Sequence, residues 1–206
     1  MYEFLSAVPG FLPGLAVSAL VALGAAHRVA VALRARWLLA FGLLVSLGAI
    51  LAATLTLNVG SLEPPPGNAF CDLTRMSLAP LDELLSLNGE PSLNVLLFLP
   101  LGLALGLLPR SGGKVALLAG AISLPAAVEF LQGVLTPLSR SCSSADVVDN
   151  LTGLAAGFAL GSAAGWLWGR LSRTDERGRE ASGAWAGCLH RRRRKVGRRA
   201  HTMRGS

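Results

Sequence analysis

Three carboxylates are the residues of this sequence best suited to chemistry, because each interrupts or borders a long apolar stretch. Glu129 precedes Gln132 by three positions and Asp146 precedes Asp149 by three, so each pair shares one face of a helix. Ionisable groups in apolar spans are costly, and they usually face the interior of a helix bundle and mark function. Arg140 lies between the two pairs and offers compensating charge.

Three carboxylates near one arginine do not all ionise easily, because like charges disfavour one another. Arg75 is a second candidate for compensation. A carboxyl group that keeps its proton could act as a general acid or base, which makes these three groups the candidate catalytic residues: Glu129, Asp146 and Asp149. Amide and guanidinium groups near the same helix ends form the candidate ligand-binding set: Asn94, Gln132, Arg140 and Asn150.

A structural interpretation of the same residues stays open. Asn94 and Asp146 could cap the helices that they open, since amide and carboxylate side chains suit helix N-termini. Glu129 and Arg140 could form an ion pair that only holds the bundle together. Function and structure are therefore both expected uses of this polar set.

Five apolar stretches must position these residues. The chain has 206 residues, of which 52% are hydrophobic and only 15% are charged. A bilayer core about 30 Å thick needs about 20 apolar residues in a helix, and five stretches meet or approach that length: 4–26, 37–57, 92–108, 115–135 and 147–168. The first is interpreted as a retained span, because no lysine or arginine precedes Arg28 as in a signal peptide. The sequence predicts an all-α, polytopic membrane helix bundle of about five spans within residues 1–170.

The distribution of charge predicts how these spans cross the membrane. The links after the first and third stretches are basic, and so is the segment after the fifth, whereas acids predominate in segment 58–91 and in the link before the fifth stretch. Lysine and arginine are retained on the cytoplasmic side. We therefore expect the N-terminus outside, the C-terminus inside and the carboxylates near the external face of the bilayer.

Most of the net charge of +7 belongs to the C-terminal segment 171–206, which we interpret as a disordered cytoplasmic tail. Its arginine run is expected to contact anionic lipid headgroups. Nucleic-acid binding is not predicted, because the tail has neither a folded surface nor interleaved aromatic residues.

Glycines at positions 153, 157, 161 and 165 lie on one face of the fifth span. Such a face lets another helix backbone approach closely. We expect it to pack inside the bundle, with assembly into a homo-oligomer as the alternative.

The cysteines indicate a disulfide. Cys71 and Cys142 fall on the predicted outer side, where disulfides persist, whereas Cys188 falls in the tail. We predict a bond between Cys71 and Cys142, with two unpaired thiols as the alternative. Two cysteines cannot complete a structural zinc site, which takes about four ligands, and no Cys/His cluster adds to them, so no metal or cofactor is predicted.

The order and spacing of the polar motifs resemble the VanZ-like family of bacterial membrane proteins. The resemblance covers about residues 91–161 and rests on four motifs in order: Asn94-x3-Phe98-x-Pro100-Leu101-Gly102, Glu129-x2-Gln132, Arg140, and Asp146-x2-Asp149-Asn150-x2-Gly153. It implies a multi-pass protein of the bacterial plasma membrane. The name-giving member is linked to low-level resistance to the glycopeptide antibiotic teicoplanin, whose target is a lipid-linked cell-wall precursor. The basic tail lies outside the pattern.

Two functions follow as expectations. In the first, the outer cluster binds or acts on an envelope lipid or a lipid-linked wall precursor, with Arg140 holding a phosphate. In the second, the chain is a non-catalytic scaffold or partner subunit whose polar cluster is structural. A transporter is less favoured, because no internal repeat is visible. The sequence leaves open whether the chain is an enzyme, since it contains no nucleophile motif or phosphate-binding glycine loop.

Overall fold

A computed structural model describes residues 10–54, 72–86, 89–134 and 142–172. This part of the chain forms six helices, which we number in chain order: α1 Phe11–Leu33, α2 Trp37–Thr54, α3 Leu81–Leu85, α4 Glu90–Leu107, α5 Gly112–Val134 and α6 Ser144–Ser172. No β-strand occurs among the described residues, and the only extended pairing there is an isolated parallel bridge between Asp72 and Ser143. The chain divides into two compact units, 1–163 and 164–206, and the second is described only over residues 164–172.

Five of the six helices are long and apolar enough to cross a bilayer. Their outward faces carry large apolar side chains, such as Leu20, Leu38 and Val115, each about two-thirds exposed. Exposing apolar surface of this extent to water is unfavourable, whereas exposing it to the hydrocarbon of a bilayer is not. The structure therefore confirms the prediction of an all-helical chain with five apolar helices of spanning length, as expected of a multi-pass membrane protein.

The helix boundaries differ from the apolar stretches, most of all at the first. The predicted span 4–26 ends before the first arginine, whereas α1 begins at Phe11 and continues through Arg28 to Leu33. Backbone hydrogen bonds do not stop at the edge of the hydrocarbon, and an arginine near that edge can extend its guanidinium to the headgroups. The tail from residue 173 lies outside the described residues.

Helices α1 and α2 form a close antiparallel hairpin. Arg34 ends α1 in the left-handed conformation, with φ 51°, and its N–H bonds back to the last turn. Small side chains fill the contact: Ala26, Ala30 and Ala40 are buried together. The hairpin is therefore held by close backbone approach.

Helices α4 and α6 approach even more closely, through glycines on both. A Cβ at Gly153 or Gly157 would overlap the carbonyl oxygen of Val95 or Leu99 on α4. In return, a Cβ at Gly102 would overlap backbone atoms of α6. Three glycines of the predicted face, at positions 153, 157 and 161, thus pack inside the chain against α4, whereas Gly165 is exposed.

We expect Gly157→Ala to destabilise the protein by about 2 kcal/mol or more, because the added methyl group meets backbone of α4, which cannot rotate away. Gly120→Ala is the matched control. A Cβ at Gly120, also within a helix, meets nothing within 4 Å, so the change should be neutral or stabilising by up to about 1 kcal/mol through helix propensity. Thermal unfolding in detergent measures both variants. Equal stability of the two would contradict the close packing.

Candidate functional site

The ends of four spanning helices converge at one end of the bundle. Gln132, near the end of α5, donates from Nε2 to the backbone oxygen of Thr54 at the end of α2, over 2.9 Å. Asn94, near the start of α4, donates from Nδ2 to Oδ1 of Asp146 at the start of α6, over 2.8 Å. These two bonds bring candidate residues from three of the sequence motifs to the same end of the molecule.

Asp149 is the most deeply buried carboxylate at this end of the bundle. Its carboxylate is 1% exposed and forms an ion pair with Arg75, whose side chain is 28% exposed. The second carboxylate oxygen, Oδ1, is buried and has no hydrogen-bond partner among the described residues, and the same is true of Oδ1 of Asn150. The pair therefore combines a fully buried acid with a cation that still reaches solvent.

Segment 72–77 brings Arg75 to that position. The backbone N–H of Asp72 donates to the carbonyl of Cys142, and the N–H of Ser144 donates to the carbonyl of Asp72, both over 2.8 Å. The hydroxyl of Ser144 donates to the carbonyl of Arg75, also over 2.8 Å. The segment is thus fixed on the start of α6, and the guanidinium can reach Asp149.

The helix-cap interpretation of Asn94 and Asp146 is wrong. Helix α4 begins before Asn94 and α6 begins before Asp146, so neither residue lies at a cap position. Ser143 caps α6 instead, because its Oγ accepts the N–H of Ala145 over 3.2 Å. The side chains of Asn94 and Asp146 are therefore free to bind each other.

Glu129 is 4% exposed and accepts the backbone N–H of Ser143 through Oε2 over 2.9 Å. It also lines a cleft of about 420 Å³ between α5, α6 and segment 72–77. Apolar side chains form the walls of the cleft, which are Leu73, Met76, Phe130, Val147 and Val148. The buried carboxylate therefore adjoins an apolar space of a size typical of ligand pockets.

Charges of both signs act at this end of the bundle. Asp146 is subject to repulsion from Glu90 and Asp149 and to attraction from Arg75. Outside the spans, hydrogen bonds from the side chain and backbone of Thr74 hold the pKa of Asp72 below its ordinary value, so this acid is ionised at neutral pH. In the described part of the chain no three His, Cys, Asp or Glu side chains come together as a metal-binding group would require.

Cys142 is disulfide-bonded. Cys71, its predicted partner, lies outside the described residues, directly before Asp72, and Arg140 also lies outside them. The pairing of Cys71 with Cys142 and the role of Arg140 stay predictions.

Thiol counting tests the pairing. In a Cys188→Ser variant, we expect a maleimide-polyethylene glycol reagent to add no mass to the denatured, unreduced protein and two units after reduction, because Cys71 and Cys142 protect each other. The untreated wild-type chain should gain one unit, at Cys188. Labelling of the Cys188→Ser variant before reduction would show that Cys71 and Cys142 are not bonded to each other.

Sequence reasoning named Arg75 only as a second candidate for compensation, without its partner Asp149. It missed two further roles at this end: Ser143 as the cap of α6 and Thr54 as the acceptor for Gln132. Only Arg75 carried a signal, since it is the single base within the acidic segment 58–91. The other two act through hydrogen bonds that composition does not reveal: a local bond at Ser143 and a bond between two helices at Thr54. No family model, curated protein or solved structure matches the chain.

Proposed function

We propose that the chain is a multi-pass protein of the bacterial plasma membrane, similar to VanZ, that binds an envelope lipid or lipid-linked wall precursor at the outer leaflet. The observation that carries this proposal is the convergence of Glu129, Asp146, Asp149 and Arg75 at one end of the bundle, beside an apolar cleft. A ligand with a polar head and a hydrocarbon tail matches both parts of this site. Tolerance of teicoplanin-type glycopeptides would follow if the bound precursor were shielded or altered.

Charge at the other end of the bundle supports the outward orientation. There Lys114 donates from Nζ to the carbonyl oxygens of Gly106 and Leu108, each over 3.0 Å. Arg110 lies in the same short link and Arg34 ends α1. Basic residues therefore gather opposite the carboxylates, and the positive-inside rule assigns them to the cytoplasm.

Arginine chemistry supports a phosphate-bearing headgroup. The partly exposed side chain of Arg75 pairs with Asp149 through Nη2 and donates from Nη1 to the carbonyl of Ser77 over 3.5 Å, and a guanidinium has five N–H donors in all. Arg140 would supply a second guanidinium, and a bidentate arginine suits phosphate. If Glu129 or Asp149 transfers a proton in a reaction of the bound ligand, the protein is an enzyme. If the cluster only binds the ligand, the protein acts by covering it.

Isosteric removal of charge tests the function. We expect Glu129→Gln and Asp146→Asn to reduce complementation of a deletion strain to the level of the empty vector, measured as teicoplanin susceptibility and as the lipid and precursor profile. Each variant keeps an oxygen that can accept the bond from Ser143 or Asn94, so protein abundance should stay close to that of the wild type.

Asp82→Asn and Glu83→Gln are the matched controls, because these exposed carboxylates lie in α3, away from the cluster contacts. They should complement fully. Full complementation by Glu129→Gln and Asp146→Asn as well would contradict the proposal.

The second candidate is a non-catalytic scaffold or partner subunit. It is favoured by the internal pairing of the polar set, since Gln132, Asn94 and Asp149 all bind other groups of the chain. If this alternative holds, Glu129→Gln and Asp146→Asn reduce the amount of protein in the cell, and any loss of complementation follows from that reduction. The chain then also co-purifies with a defined partner.

A further inference from the structure

We propose that the cleft beside Glu129 is a lateral binding site for the hydrocarbon chain of a lipid, which enters from the surrounding leaflet. The inference rests on the proposed function, and it names the part of the ligand that this cleft takes and the route by which it arrives. Three features of the described residues support it: the position of the cleft, the chemistry of its walls and the exposure of its rim.

The position follows from the contacts of segment 72–77. Two backbone hydrogen bonds join Asp72 to Cys142 and Ser144, and Ser144 is the first residue of α6. The cleft between this segment, α5 and α6 therefore lies where a spanning helix begins. In a bilayer that is the zone between the hydrocarbon and the headgroups, where the polar and apolar parts of a lipid meet.

The walls are suited to hydrocarbon and the inner end is suited to a polar group. Met76, Phe130 and Val148 have apolar side chains, whereas Glu129 and Ser143, which also line the cleft, have polar ones. An alkyl chain makes no hydrogen bonds and needs none from these walls. A lipid could thus place its tail along the walls and its first polar group toward Glu129.

The rim indicates the route of entry. Leu73, Met76 and Phe130 are each more than 60% exposed, and so are Leu78 and Leu81 farther along the same outer segment. Apolar side chains in a connecting segment at the interface are stabilised by insertion among lipids. The rim of the cleft is therefore continuous with lipid rather than with water, which makes the leaflet itself the source of the occupant.

The test uses the full chain in vesicles of phosphatidylethanolamine and phosphatidylglycerol that contain a hexadecanol with a terminal diazirine. After illumination, labelled residues are identified by mass spectrometry. In the wild-type chain we expect labelling at Met76, Phe130 and Val148 that saturates as the probe increases. Labelling at Met76 and Phe130 should fall at least fivefold in Val148→Trp, whose indole fills the cleft.

Leu160→Trp is the matched control, because Leu160 is 57% exposed on α6 and does not line the cleft. It should leave labelling of the cleft unchanged. Labelling that rises linearly without saturation, or that is equal in Val148→Trp and Leu160→Trp, would overturn the inference, since bulk lipid contact explains both. A cleft occupied by a second protein copy would show no labelling and would overturn it too.

The failure of this inference is distinguishable from that of the proposed function. Saturable labelling together with full complementation by Glu129→Gln and Asp146→Asn would support the binding site for the hydrocarbon chain and contradict the functional role of the carboxylates. Loss of complementation in these variants without saturable labelling would support the functional role of the carboxylates and contradict the binding site for the hydrocarbon chain.

Discussion

Arg75→Ala should destabilise the protein by about 3 to 5 kcal/mol, among the largest effects of any single substitution in the described part of the chain. The carboxylate of Asp149 is 1% exposed and pairs with Arg75. Removal of the arginine leaves a buried charge without compensation, which is far more costly than the net contribution of the pair itself. Reversible unfolding in mixed detergent micelles measures the change in the free energy of unfolding.

Asp149→Asn should cost less, about 1 to 2 kcal/mol, because the guanidinium left behind is partly exposed and stays hydrated. The double variant should be less destabilised than the sum of the two single variants, by about 1 kcal/mol or more, as expected for directly coupled groups. Additive effects would show that Arg75 and Asp149 do not depend on each other. Arg34→Ala, which changes an arginine outside the cluster, controls for the general loss of a cation.

Phe98→Ala should cost about 3 kcal/mol. The ring of Phe98 is completely buried in the main core, among residues that include Leu43, Ile50 and Leu101. Lipid is as apolar as the core, so the transfer of the side chain contributes little, and most of the loss comes from the cavity and from missing van der Waals contacts. Thermal and detergent-induced unfolding both report this loss.

Phe130→Ala provides the control with the same chemical change. Phe130 is 65% exposed, so its truncation removes few contacts and should change the free energy of unfolding by less than about 0.5 kcal/mol. Similar losses for the two variants would contradict the burial of Phe98.

The five spans could be predicted from the sequence because their signal is simple. A membrane helix needs only length and the absence of charge, and both are visible in composition along the chain. The boundaries could not be predicted to the residue, since helices extend beyond the hydrocarbon. The course of α1 past Arg28 illustrates this difference.

Several members of the polar cluster were predictable, but their pairing was not. Asn94 and Asp146 lie near the starts of α4 and α6, which pack closely against each other, and this suffices to bring them together. Asp149, by contrast, binds a residue 74 positions away in a segment outside the spans. No periodicity specifies the path of such a segment, which depends here on backbone bonds between Asp72 and the start of α6.

The packing role of the central motif was also hidden. In the motif that begins at Asn94, the aromatic ring of Phe98 fills the core and Gly102 allows α6 to approach. Sequence alone shows that these residue types recur at fixed spacing, but contact partners depend on which helices become neighbours. At least three of the motif residues, Phe98, Leu101 and Gly102, therefore serve packing, and Asn94 reaches the polar cluster.

The reciprocal glycine contacts between α4 and α6 have a mechanical consequence. Where backbone meets backbone, no side chains are available to change rotamer, so the two helices have little freedom to slide or separate. Helices α4 and α6 therefore form a rigid pair that holds the cluster residues Asn94, Asp146 and Asp149 in place. Segment 72–77 is itself bonded to the start of α6, so a change in the width of the cleft would come from its remaining wall, α5, moving against a stationary α6.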